Sequence, residues 1–78
     1  MNVLVLNGPN LNLLGSREPE VYGTDTLDDI QNNLTSIANN NSIEIRFYQS
    51  NSENDLINEL HNAKKSGTDY VIINPGAF

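Results

Sequence analysis

The chain has no cysteine, a single histidine and only four basic residues among its 78. Without cysteine there is no disulfide staple, no thiolate zinc site and no cysteine nucleophile, and the composition suits a reducing compartment. One histidine does not make a zinc site by itself, so no metal centre is expected. Ten acids outweigh the four bases to give a formal charge of -6, which argues against a nucleic-acid surface or an anionic membrane as partner. A basic leader is missing too: Met1 to Asn7 carries no charged side chain, and its apolar run is far too short to span a bilayer. A soluble, cytoplasmic protein is expected, in which the glycosylation-type triplets Asn33-Leu34-Thr35 and Asn40-Asn41-Ser42 stay idle. No Gly-x-Gly-x-x-Gly and no Gly-Lys-Ser/Thr follows any apolar run, which removes the main support for dinucleotide or P-loop binding.

The patterning that is present alternates strands with helices. Val3 to Leu6 is a continuous apolar run with β-branched members, as expected of a strand buried on both faces, and Gly8-Pro9 cannot extend it. A long connection without a helix of its own follows, carrying Asn7, Asn10, Asn12, Arg17 and Tyr22; connections of this kind are often functional. Leu27, Ile30, Leu34, Ile37 and Ala38 recur with helical spacing behind Thr26 and Asp29, which stand at capping-box spacing. Asn39-Asn40-Asn41 ends that helix, since Asn tolerates the left-handed conformation found there. Ile43 to Tyr48 alternates apolar with polar residues and reads as an edge strand. After Gln49-Ser50-Asn51-Ser52-Glu53, a second helix places Leu56, Ile57, Leu60 and Ala63 inward, carries Lys64 and Lys65 at its negative end and stops at Gly67. Tyr70 to Ile73 is a third strand, broken by Asn74-Pro75-Gly76.

Such a β-α-β-α-β order, with unpatterned first and third strands, implies an α/β doubly wound parallel sheet with right-handed crossovers. Its predicted spatial order is 2-1-3, with one helix on each face. The three polar turns then share one sheet edge, outside the carboxyl ends of the strands and beside the point where strand order reverses, where ligands bind in such folds. Residues 1–78 read as a single α/β domain with no internal repeat.

What that edge offers is an amide-rich crevice with one arginine and one tyrosine. A phenol titrates near about 10, but a guanidinium close by favours the phenolate and makes Tyr22 a usable general base. Amides at Asn10 and Asn74 can hold a water or donate to an oxygen on which charge develops. Structural readings stand beside these. Arg17 next to Glu18 and Glu20 also fits a surface ion pair, and Tyr22 a plug that holds a loop down. Asn7 and Asn74 also fit the satisfaction of backbone groups at strand ends. His61 reads as a boundary residue in mid-helix, and Asp28-Asp29 as a complement to the helix N-terminus.

Three stretches, Asn7-Gly8-Pro9-Asn10-Leu11-Asn12-Leu13-Leu14-Gly15 with Arg17-Glu18-Pro19 and Val21-Tyr22-Gly23, then Gln49 to Glu53, then Ile73-Asn74-Pro75-Gly76-Ala77, resemble type II 3-dehydroquinate dehydratase in family order. The resemblance implies a flavodoxin-like fold and the shikimate-pathway step that removes water from 3-dehydroquinate, by anti elimination through an enolate. It also implies roles. Tyr22 takes the C2 proton, Arg17 lowers its pKa, Asn10 holds the water that stabilises the enolate, and Asn74, Gly76 and Ala77 bind substrate. The family uses no metal or organic cofactor and assembles as a dodecamer built from trimers. A Thr-His pair, a later general-acid His, and a Ser and an Arg that bind substrate follow in the family and have no counterpart in these 78 residues. The similarity therefore covers the N-terminal half of a larger flavodoxin-like domain, nearer ~150 residues when complete, and these residues alone are expected to be inactive. The competing class is a non-catalytic ligand-binding or receiver-like module. A receiver wants acids after the first and third strands, where Asn7 and Asn74 stand.

Overall fold

In the computed structural model, which describes residues 1–15 and 23–77, three strands form one parallel sheet: β1 (Asn2–Asn7), β2 (Glu44–Gln49) and β3 (Tyr70–Asn74). Their order is β2-β1-β3. Helix α1 (Leu27–Asn40) joins β1 to β2, and α2 (Glu53–Lys65) joins β2 to β3. Because β2 and β3 flank β1 on opposite sides, two right-handed crossovers put the helices on opposite faces. On one face Leu56 and Ala63 of α2 pack with Leu4 and Leu6, with Tyr48 and Leu60 alongside. Val3 and Val5 alternate onto the other face and are buried, as is Ala38 of α1.

The register brings the carboxyl ends of all three strands level. Asn7 of β1 stands opposite Gln49 on one side and Asn74 on the other. At the opposite edge the Asn2 backbone N–H donates to Asp69 Oδ2 at 2.8 Å, and the Asp69 N–H returns a bond to the Asn2 carbonyl at 2.8 Å. Arg46 of β2 reaches across to α2, with Nη1 at 3.6 Å from Glu59 and Nη2 at 3.0 Å from Thr68 Oγ1. The alternating residues of β2 are thus split between an apolar face and one tied down by an ion pair.

Local chemistry moves several boundaries. The long first connection does contain a helix, a 3-10 turn at Leu11–Leu13, where a helix-free loop is expected from sequence. Ile43 lies outside β2, between the Asn41-Ser42 turn and the strand, with its N–H spent on the Ala38 carbonyl at 2.9 Å. The residue in left-handed conformation after α1 is Ser42, at φ 55, not an asparagine. Asn41 caps differently, donating Nδ2 to the Ile37 carbonyl at 2.8 Å. Ile57 and Ile37 lie exposed rather than inward. All five residues of β3 are exposed as well, although its sequence resembles that of the buried β1.

Candidate active site

Two glycine-proline turns meet at the carboxyl edge of the sheet. Where β1 ends, the Gly8 N–H donates to the Asn74 carbonyl at 2.8 Å, which carries the ladder one step past the strands. A Cβ on Gly8 would overlap the Pro75 carbonyl oxygen, so only glycine lets the two backbones approach this closely. Gly76 mirrors it, with φ 61 and an added Cβ 2.6 Å from the Pro9 carbonyl oxygen. The Ala77 N–H completes the pairing with a bond to the Pro9 carbonyl at 3.4 Å. Between these turns and the 3-10 helix lies a crevice of about 300 Å³, lined by Pro9, Asn10, Leu11, Leu13, Leu14, Gly76 and Ala77. Its described walls are mostly apolar, and no charged side chain lines them.

Asn10 enters this crevice in an unusual backbone state, φ 70 and ψ -3, which side chains other than glycine seldom adopt and asparagine tolerates best. Its N–H donates to Asn51 Oδ1 at 3.0 Å, from the turn after β2. Gln49 stands behind that contact, its Nε2 donating to Asn51 Oδ1 at 3.1 Å and to the Gly8 carbonyl at 3.2 Å, with Asn12 Oδ1 at 3.5 Å. The oxygen and nitrogen ends of these amides are fixed by their partners, since a backbone N–H only donates and a carbonyl only accepts. Sequence reasoning assigned no individual role to Gln49 or Asn51. The available signal was positional: two amides at the end of the strand predicted to neighbour an asparagine-rich turn.

Of the residues singled out from sequence, Asn10, Gly76 and Ala77 come together in the crevice. Asn74 stands at the end of β3 and lines a separate apolar hollow of about 150 Å³ against α2, together with Leu6, Glu53, Leu56, Ile57 and Ile73. Its backbone carbonyl accepts the Gly8 N–H at 2.8 Å, a bond that does not depend on its side chain. Arg17 and Tyr22 lie outside the described residues. His61 is exposed on α2, and Asp29 closes a reciprocal capping box with Thr26. Among the described residues no group of three or more His, Cys, Asp or Glu is placed to hold a metal ion, and no helix is long and apolar enough to cross a membrane.

A parallel sheet of order 2-1-3 with two helices and a crevice at its carboxyl edge defines a flavodoxin-like α/β fold. The sequence model of the family Dehydroquinase class II matches residues 1–78, and the chain belongs to that family. It is 63% identical over 78 residues to a protein of Vesicomyosocius okutanii subsp. Calyptogena okutanii named 3-dehydroquinate dehydratase, covering 100% of this chain and 52% of the relative. A protein of the same name from Hahella chejuensis is 56% identical over 77 residues, with 99% and 52% covered. The crystal structure of type II dehydroquinase from Butyrivibrio crossotus superposes with a TM-score of 0.95 at 43% identity, over 99% of this chain and 53% of that one. The chain thus spans about half the length of the relatives it matches.

Proposed function

We propose that these residues form the N-terminal half of a type II 3-dehydroquinate dehydratase, which converts 3-dehydroquinate to 3-dehydroshikimate. The observation that carries this reading is the family match along residues 1–78, and the meeting of Asn10, Gly76 and Ala77 in one crevice supports it. In the proposed mechanism the Tyr22 phenolate takes the C2 proton, and the electron pair moves onto the ketone oxygen to give an enolate. Arg17 keeps the phenol ionised by favouring its anionic form. Asn10 holds a water against the enolate oxygen, where a positioned donor is worth most because charge develops there. Collapse of the enolate expels the C1 hydroxyl, which takes a proton from an acid and departs as water. Asn74, Gly76 and Ala77 contact the substrate, and neither metal nor organic cofactor takes part. The competing receiver-like reading wants acids at the ends of the first and third strands, where this chain carries Asn7 and Asn74. On the same family ground the complete protein is a cytoplasmic enzyme of the shikimate pathway that assembles as a trimer-based dodecamer.

Tyr22→Phe tests the base. In a chain of the relatives' full length this variant should lose nearly all turnover, followed by the absorbance of the conjugated product. The ring still packs, so substrate affinity should stay within about tenfold of wild type, or ~1.4 kcal/mol. Wild-type turnover in the Phe variant would make Tyr22 a plug and end this mechanism.

A further inference from the structure

We propose that Gln49, the last residue of β2, and Asn51, in the turn after it, are positioning residues that hold Asn10 in its working conformation; the inference rests on the role given to Asn10 above. The left-handed backbone of Asn10 sets where its side chain leaves the chain, and that side chain makes no capping bond to the 3-10 helix that follows. The amide of Asn10 is therefore not consumed locally and remains available to the crevice it lines. What fixes the backbone comes from 41 residues away, where Asn51 Oδ1 accepts the Asn10 N–H at 3.0 Å. Gln49 in turn spends its two amide hydrogens on Asn51 Oδ1 at 3.1 Å and on the Gly8 carbonyl at 3.2 Å, ahead of Asn10. One donor nitrogen therefore ties Asn51 to the start of the turn, and one acceptor oxygen braces its centre. Without that oxygen the Asn10 N–H loses its partner, and the backbone is free to relax toward the right-handed or extended regions that asparagine otherwise prefers. The side-chain amide then swings away from the oxygen it serves. The walls contributed by Leu13, Gly76 and Ala77 stay where they are.

Steady-state kinetics on a chain of the relatives' full length tests this, because a misplaced transition-state donor lowers kcat while leaving KM nearly unchanged. Asn51→Ala should lower kcat by about 10- to 100-fold, the scale of a small misplacement in an active site, with KM within about threefold. Asn51→Asp keeps an acceptor for both donors and should restore kcat to within about threefold of wild type. Gln49→Glu puts an acceptor against the Gly8 carbonyl and should reproduce the Asn51→Ala loss. Combining the two should cost little more than the worse single variant, as expected of residues that act as one unit. Wild-type kcat in Asn51→Ala, or an Asn51→Asp variant as impaired as Asn51→Ala, overturns the proposal. An equal rise in KM and fall in kcat with a lowered melting temperature would assign Asn51 to folding alone and also overturns it. Asn10→Ala run in parallel separates the two readings. If Asn10→Ala is impaired and Asn51→Ala is not, only the positioning role fails; if Asn10→Ala turns over normally, the role of Asn10 itself falls and this inference with it.

Discussion

Gly8 and Gly76 hold the two crevice turns in backbone contact, and a single methyl at either has nowhere to go. The atoms a new Cβ would meet are carbonyl oxygens of Pro75 and Pro9, not the movable ends of side chains. Gly8→Ala is expected to destabilise the fold by about 1–3 kcal/mol, the usual cost of forcing extra volume into a packed region, and to separate the turn of Asn10 from that of Ala77. Urea unfolding measures the first effect, and loss of the Gly8-to-Asn74 bond in a structure of the variant reports the second. An unchanged unfolding midpoint would mean that the two turns can part freely. At this scale the sequence was partly legible. Gly-Pro and Pro-Gly after apolar runs marked strand ends, but nothing in either dipeptide showed that they press on each other. That contact follows only once β1 and β3 are neighbours.

The two helix starts show how the same spacing produces different caps. Thr26 and Asp29 bond reciprocally, the Thr26 Oγ1 accepting the Asp29 N–H at 3.1 Å and the Asp29 Oδ2 accepting the Thr26 N–H at 2.9 Å. Ser52 accepts the Asp55 N–H at 3.3 Å, but Asp55 turns its carboxylate to Ser50 Oγ at 3.3 Å, and Ser50 Oγ accepts the Ser52 N–H at 3.0 Å. A serine two residues upstream has taken the place of the reciprocal bond. Thr26→Ala should cost about 1 kcal/mol, within the range for lost N-caps. Ser50→Ala should weaken α2 by a comparable step through the Ser52 N–H, although Ser50 is not its cap residue. Parallel denaturant titrations decide it, and a neutral Ser50→Ala would show that the relay adds nothing. The first cap, the strand order and the parallel direction of the strands were readable, because capping residues, unpatterned apolar runs and crossover handedness all act locally or through simple topology. The start of β2 was not, since Ile43 looks like a strand residue until its N–H is found closing the turn after α1.

Across the whole molecule the least protected element is β3, whose apolar residues resemble those of the buried β1 but stand at an open edge of the sheet. Tyr70, Ile72 and Ile73 are 61%, 56% and 56% exposed, and β3 is bonded to β1 on one side only. Its far edge offers a row of backbone groups flanked by apolar side chains, a template for pairing with other chains. The dimensions agree: the radius of gyration is 13.2 Å, against about 11.5 Å for a compact domain of this length. These 78 residues alone are therefore expected to self-associate. Little dehydration of 3-dehydroquinate is expected from them, because the elimination needs an acid for the departing hydroxyl and His61 is poorly placed to serve. It lies eight residues into α2, about 12 Å along the axis from the helix start that abuts the crevice edge. Loss of one general acid costs about 10²- to 10⁴-fold in rate. Sedimentation velocity across a concentration series should show association, and Ile72→Lys should reduce it, since a charge on an edge strand opposes pairing. Adding the C-terminal half of the Vesicomyosocius okutanii relative in trans should suppress the association and bring dehydration up together. A monodisperse 78-residue monomer with robust activity would mean that β3 tolerates water on both faces and that the acid resides in this chain. Association relieved by the second half without any gain in activity would leave the edge argument standing and remove the catalytic one.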